Sequence, residues 1–164
     1  MKHQRVPRVA LVIEDKRWRK DEATLKLIRR AARSALKEAT RLQAGKGITI
    51  LLADDARLRR LNRQFRGKNR ATNVLSFNAS DSSYLGDIAV ALDSVEKQAR
   101  AQKKSVPAHA AHLVVHGILH LIGYDHARET DAATMERLET VILSRLGLSD
   151  PYAPRPYTRA RKAA

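Results

Sequence analysis

The chain has 164 residues, with 32 Lys plus Arg against 17 Asp plus Glu and a formal net charge of +15 at neutral pH. That length suits one domain able to bury about 70% of its unfolded surface, and the 43% apolar content is enough to fill a core. With no cysteine, disulfides, iron–sulfur clusters and thiolate zinc sites are excluded, so a transition metal has to sit on His, Asp or Glu. No apolar run approaches the roughly 18 residues a membrane helix needs, and no apolar signal core follows the basic N-terminus. A soluble cytoplasmic protein with no membrane partner is the expectation.

The charge is divided along the chain. Residues 1–44 carry a net +8, residues 45–70 a net +6, residues 71–150 a net −3 and residues 151–164 a net +4. Every histidine except His3 lies in the mildly acidic stretch. Such an excess makes a polyanion the expected partner. The split suggests a binding surface and a chemical centre drawn from different parts of the chain.

In chain order, Val9–Ile13 reads as a strand. Asp21 then caps a helix running to about Leu42, because Leu25, Ile28, Ala32, Leu36, Ala39 and Leu42 recur at helical spacing. Lys26, Arg30, Arg33, Lys37 and Arg41 fall within about 80° of one another at about 100° per residue, away from that stripe. They form a nucleic-acid contact or a solvated face. A turn at Gly45–Gly47 leads to a strand at 48–53 and a helix at about 55–65, with Leu58, Leu61 and Phe65 inward and Gly67 ending it. Strands follow at 74–77 and 87–92, then helices at about 94–103, from Pro107 to Ile122, and at about 130–146. This order predicts one α+β domain over residues 1–150, a small mixed sheet packed with about five helices. The basic, proline-containing tail 151–164 is expected to be disordered or loosely docked.

The chemistry concentrates in His112…His116-Gly117…His120…Gly123-Tyr124-Asp125-His126. Residues four apart stack on one helix face, so His116 and His120 can share an ion. A third ligand ten residues after the first would lie about 15 Å away on a continuous helix. Gly123 allows the chain to bend back, and His126 closes the triangle. Three imidazoles leave a fourth position open, as in catalytic rather than structural zinc. His112 and His109 are expected to pack or to support the ligands rather than to bind metal. Asp125 either orients a ligand imidazole or serves the turn.

The spacing matches the zincin-like motif H-E-x-x-H-x-x-G-x-x-H except that Gly117 replaces the glutamate that moves the proton. Amide hydrolysis is therefore disfavoured. A phosphodiester needs that base less, because metal and cations stabilise its transition state. Cations are supplied by the loop Arg66-Gly67-Lys68-Asn69-Arg70, whose guanidinium forks suit phosphate. Asp87, entering a strand after Leu85-Gly86, faces the metal or hydrogen-bonds a neighbouring turn.

Taken together, Leu61…Phe65-Arg66-Gly67-Lys68…Thr72-Asn73-Val74-Leu75-Ser76-Phe77, Leu85-Gly86-Asp87-Ile88 and His112…His126 resemble the YbeY family of bacterial rRNA-maturation endoribonucleases, in family order over residues 54–146. The resemblance implies a single-domain metal-dependent hydrolase with one Zn2+ on His116, His120 and His126. Arg66, His116 and His120 would be catalytic, and Lys68, Arg70, Lys26, Arg30, Arg33 and Lys37 would contact RNA. His112, Asp125 and Asp87 would lie behind the ligands. It further implies single-stranded RNA cleavage, 16S rRNA 3′-end maturation, and the ribosome or its small subunit as partner. Asn69, Asn73 and Asn78 stand where many members have Asp, Asp and Pro. Two other readings compete: a ribosome-assembly factor whose metal only fixes the fold, and a metallopeptidase lacking its usual Glu.

Overall fold

Alternation of apolar side chains decides how the strands of the molecule face its helices. The computed structural model describes residues 6–81 and 83–153. Strands β1 (Val9–Ile13), β2 (Gly47–Ala53), β3 (Val74–Asn78) and β4 (Tyr84–Ala91) form one sheet in the order β1-β2-β4-β3. The first three in that order run parallel, and β3 pairs antiparallel with β4 at the edge. The helices are α1 (Glu22–Leu36), α2 (Asp55–Arg66), α3 (Leu92–Gln102), α4 (Val106–Leu121) and α5 (Glu129–Arg145). The α+β domain with a small mixed sheet and five helices is as expected.

Ile48, Ile50 and Leu52 of β2, with Ile88 and Val90 of β4, join the main core with α1 and α4. Each such isoleucine contributes about 1.5–3 kcal/mol by burial. The alternate residues Ala53, Ala89 and Ala91 face the other way and pack with Leu58 of α2. Helix α4 thus lies on one face and α2 on the other. Helix α5 packs outside the sheet, on α4 and α1.

Several boundaries differ from the sequence reading. Asp21 does cap α1, accepting from the Ala23 backbone N–H. The helix stops at Leu36 rather than Leu42, however. Gln43 explains the stop: its Oε1 accepts from Thr40 N and its Nε2 donates to Ile122 O at 3.0 Å, which commits residues 40–45 to a turn held against α4. Leu42 consequently lies 86% exposed. Phe65, expected to point inward, is also exposed, since α2 ends over the open edge of the sheet and Phe65 stacks edge-on with Phe77. Strand β4 begins at Tyr84, three residues earlier than expected. A register shift places Gly47 opposite Tyr84 but Ile48 opposite Gly86, the two-against-one count of a bulge. Of the tail, residues 151–153 are described: Pro151 O accepts from Lys104 Nζ at 3.1 Å, and Tyr152 hydrogen-bonds Glu139. The rest of the 151–164 segment, like His3, lies outside the described residues.

The bulge requires glycine. Gly86 has φ +147°, and a Cβ there would lie 2.0 Å from Phe77 O of the neighbouring strand. At Gly117 the added Cβ would meet Ser76 Oγ at 3.0 Å and Ile88 at 3.2 Å, a tight contact rather than an impossible one. Gly86→Ala is therefore expected to prevent folding or to destabilise beyond the about 4–5 kcal/mol that marks exceptional substitutions. Gly117→Ala should cost about 1–3 kcal/mol from overpacking, partly offset by better helix propensity. Urea denaturation of the two variants checks the ranking.

A second expectation concerns pH. His109 is 3% exposed, and its Nε2 lies 2.8 Å from Gln98 Oε1, which also accepts from Asn73 Nδ2. An amide oxygen only accepts, so His109 carries its proton on Nε2. Burial, reinforced by His112 and Lys104, pushes its pKa down to about 4. The unfolded imidazole titrates near 6.5, so as pH falls from about 6.5 to 4 the unfolded chain gains a proton that the folded chain refuses. Stability is lost across that window, by about 2–3 kcal/mol at about 1.36 kcal/mol per unit. The stability advantage of wild type over His109→Gln should shrink by that amount between pH 7 and pH 4 in urea titrations.

Candidate metal centre

Helix α4 starts where Ser105 Oγ accepts from Ala108 N, with Pro107 in its first turn. Its apolar residues sink into the core, while His112, His116 and His120 stay partly accessible on one face. The helix ends in a Schellman turn: Tyr124 N donates to Leu119 O, Gly123 N donates to His120 O, and Gly123 has φ +109°. Two further carbonyls find side-chain donors, Leu121 O from Asn78 Nδ2 at 3.3 Å and Ile122 O from Gln43 Nε2. The carbonyls that a helix end leaves over are thus bonded from β3, from the α1–β2 turn and from the bend itself. The bend returns His126 to the helix, with ring centroids 4.9 Å from His120 and 5.4 Å from His116.

The ligand atoms of His116, His120 and His126 lie within 4.8 Å of one another, a group that can hold a metal ion. The tautomers sharpen this. His116 Nδ1 donates to Glu139 Oε1 at 2.6 Å, and His120 Nδ1 donates to the Tyr124 carbonyl at 3.0 Å. Both partners are acceptors only, so both rings keep their proton on Nδ1. The two Nε2 atoms then face each other at 3.1 Å, and burial, together with the neighbouring His116 and His126, lowers the pKa of His120. Zn–N bonds of about 2.0–2.1 Å at a tetrahedral angle separate ligand nitrogens by roughly 3.3 Å. The donor set and its spacing fit a cation shared by these nitrogens.

Behind the ligands is a carboxylate. Glu139 of α5 is fully buried, and accepts from His116 Nδ1 and from His112 Nε2, each at 2.6 Å, and from the Tyr152 hydroxyl. Burial alone would raise its pKa, but the hydrogen bonds from His112, His116 and Tyr152 outweigh it and hold the carboxyl at about 2. Burial and the same carboxylate push the Tyr152 hydroxyl up, so that it stays a donor. His112 therefore supports the site without joining it.

Other expected residues are distributed differently. Asp87 does not face the centre: its carboxylate accepts from Tyr84 OH, which also hydrogen-bonds Thr49 Oγ1 at 2.6 Å. Thr49 alternates with the core-facing Ile48 and Ile50, so this trio lies on the sheet face opposite α4. Asp87 alternates with the core-facing Ile88 and Val90, and the bulge brings Tyr84, three residues earlier, to the same face. Asp125 serves the turn, accepting from His126 N at 2.7 Å, while its carboxylate stands 3.9 Å from His126 Nδ1. Arg66 donates from Nη2 to Ser76 O at 2.6 Å, and its guanidinium lies 5.7 Å from the Phe77 ring centre. Ser76 Oγ in turn donates to Gly117 O, so two hydrogen bonds connect Arg66 to the residue after His116. Lys68 and Arg70 are exposed on the loop that follows, Lys26, Arg30 and Arg33 are exposed on α1, and Lys37 is exposed at its C-cap.

Glu139, Tyr152 and Ser76 were not identified from sequence. For Glu139 a signal existed: Met135, Glu139, Ile142 and Leu143 are the buried positions of α5, and only one of them is charged. A charged residue inside an apolar stripe asks for a buried partner. A Cβ at position 117 would meet Ser76 and Ile88 of the sheet, and glycine itself brings no base.

A family model described as Endoribonuclease YbeY matches residues 12–147. Among curated relatives, the endoribonuclease YbeY of Bradyrhizobium diazoefficiens is 39% identical over 168 aligned residues, covering 96% of this chain and 92% of its own. That of Gluconobacter oxydans is 44% identical over 148, covering 87% and 86%. In fold, the chain resembles the solution structure of a Thermotoga maritima protein with a TM-score of 0.58, at 24% identity and over 89% of this chain and 99% of that one. The chain belongs to the YbeY family of endoribonucleases, hydrolases of phosphodiester bonds.

Proposed function

We propose that the chain is a zinc-dependent endoribonuclease specific for single strands, acting in the cytoplasm on the 3′ end of 16S rRNA and in ribosome quality control through the small ribosomal subunit. One observation carries the metal assignment: the Nε2 atoms of His116 and His120 stand 3.1 Å apart with His126 alongside, while both Nδ1 atoms are engaged by acceptors. His116, His120 and His126 would hold the ion. When bound, zinc supplies a Lewis acid and brings a coordinated water to a pKa near 7.

The chain's own groups do the rest. Arg66, at the free edge of β3, offers the developing phosphate charge a guanidinium anchored at one nitrogen and open at the others. Beside it, the exposed Phe65 and the Phe77 ring border a groove with Val12 and Leu51. Aromatic faces of this kind stack unpaired bases, which supports the single-strand reading. Lys68 and Arg70 add positive charge on the loop after Arg66, and the α1 cations add to the field that attracts a polyanion. No proton acceptor comes from position 117, and Glu139 is saturated by three donors. The peptidase reading thus lacks its base.

Metal-replete wild type should cut a single-stranded RNA, whereas chelated protein and His120→Ala should not, while keeping the wild-type circular dichroism spectrum. A folded His120→Ala protein that cleaves at the wild-type rate would refute the reading. Loss of ribosome binding and of thermal stability, with no nuclease activity in pure wild type, would favour the assembly factor. Arg66→Ala is expected to lower kcat about 10²–10³-fold, the usual loss when one preorganised donor to a transition-state charge is removed, with RNA affinity reduced less. Single-turnover kinetics and filter binding separate the two.

A further inference from the structure

Tyr152 lies beyond residue 147, where the family match ends, and beyond α5. Its chain is tied down there, since Pro151 O accepts from Lys104 Nζ and Tyr152 N donates to Asp150 Oδ1 at 2.9 Å. The hydroxyl nevertheless reaches inward to Glu139 Oε2 and lies 3.3 Å from His112 Nε2, with the two rings edge to face at 5.5 Å. The two oxygens of Glu139 are then unequal. Oε2 takes both His112 and Tyr152, leaving Oε1 to His116 Nδ1 alone.

We propose that Glu139 and Tyr152 form a positioning relay for the metal centre: Glu139 fixes the tautomer and tilt of His116, and Tyr152, reaching back from beyond the last helix, fixes Glu139. A carboxylate with both oxygens engaged cannot rotate about its last bond without breaking a hydrogen bond. Oε1 is held toward His116, the His116 proton is kept on Nδ1, and Nε2 remains a lone-pair donor aimed at His120. Without the Tyr152 hydroxyl, Oε2 keeps only His112, a residue of the same helix as His116. Rotation of the carboxylate then breaks two hydrogen bonds instead of three, so Oε1 is held less firmly toward His116. The segment after α5, which the sequence reads as a loose basic tail, thereby sets the affinity of the site for its ion.

The inference rests on the metal-site reading, and the experiment separates the two. Full-length wild type, His120→Ala, Tyr152→Phe and Glu139→Gln are stripped of metal and titrated with zinc against a chromophoric chelator. Wild type should bind one zinc per chain, and His120→Ala should lose it. Tyr152→Phe should bind about 10-fold more weakly, in line with the 10–100-fold loss when a partner behind a metal ligand is removed, and Glu139→Gln more weakly still. Cobalt(II) in place of zinc should show displaced visible bands in Tyr152→Phe, a signature that a purely structural tyrosine would not alter. In RNA cleavage at limiting zinc, kcat should fall with KM unchanged, because the hydroxyl of Tyr152 is turned to Glu139 and acts through it. If Glu139→Gln does not fold, Tyr152→Phe, whose ring is partly exposed, still decides the matter. Wild-type zinc affinity and cobalt spectrum in Tyr152→Phe, with the ion lost in His120→Ala, would overturn the relay and leave the metal site standing. Equal zinc binding by wild type and His120→Ala would overturn both.

Discussion

The 3.1 Å contact between His116 Nε2 and His120 Nε2 constrains the rest of the molecule, because it is repulsive unless something positive lies between or beside the two atoms. An imidazole can escape such a contact by moving its proton to the other nitrogen or by rotating. Neither route is open here. Glu139 and the Tyr124 carbonyl hold both protons on Nδ1, and the surrounding helix is locked in a core of Val114, Val115, Ile118 and Leu119. The fold therefore holds the two nitrogens at a spacing that suits a shared cation.

This confinement is built by distant parts of the chain acting on one helix. Its final carbonyls are bonded by Asn78 of β3 and by Gln43 of the turn after α1, and its midpoint is bonded by Ser76. A proline at position 78 could not donate this hydrogen bond. Asn73 donates to Gln98, and through the same oxygen Gln98 holds His109 one turn before His112. Asn69 accepts from Arg59 and ties the cationic loop back to α2. At all three positions asparagine makes a polar contact that fastens the loop or the helix end.

The sequence made the helix face, the ligand spacing and the bend at Gly123 legible, because each depends on local geometry: a period of 3.6 and a left-handed cap. Strand β1 and the start of α1 were legible for the same reason. Its end was not, since Gln43 stops the helix through a hydrogen bond to Ile122, 79 residues away. Nor was the contact of Asp87 with Tyr84: the two are three residues apart and share a face only because the bulge before Gly86 shifts the alternation. Glu139 and Tyr152 were missed because their meaning depends on α5 lying against α4, a tertiary fact. The charge count, by contrast, carried over directly: the cations are on α1 and on the loop after α2, exposed, while His116 and His120 sit on a helix with little charge of its own.

That separation also explains why a spacing shared with zinc peptidases need not bring their chemistry. In H-E-x-x-H the residue after the first ligand is rotated by about 100° around the helix, and a peptidase uses that direction to bring its glutamate to the water. Here the same direction points at the sheet, where Ser76 Oγ and Ile88 lie within 3.0–3.3 Å of where a Cβ would be. A glutamate there would have to displace the edge of the sheet or bury an unpaired carboxylate against it. The absence of the base is therefore a consequence of packing as well as of the residue chosen. The hydroxyl that fills the space links Gly117 to Arg66 through Ser76. In place of a proton acceptor the frame presents a guanidinium, which suits an ester whose transition state carries spread negative charge better than an amide that must gain a proton to leave.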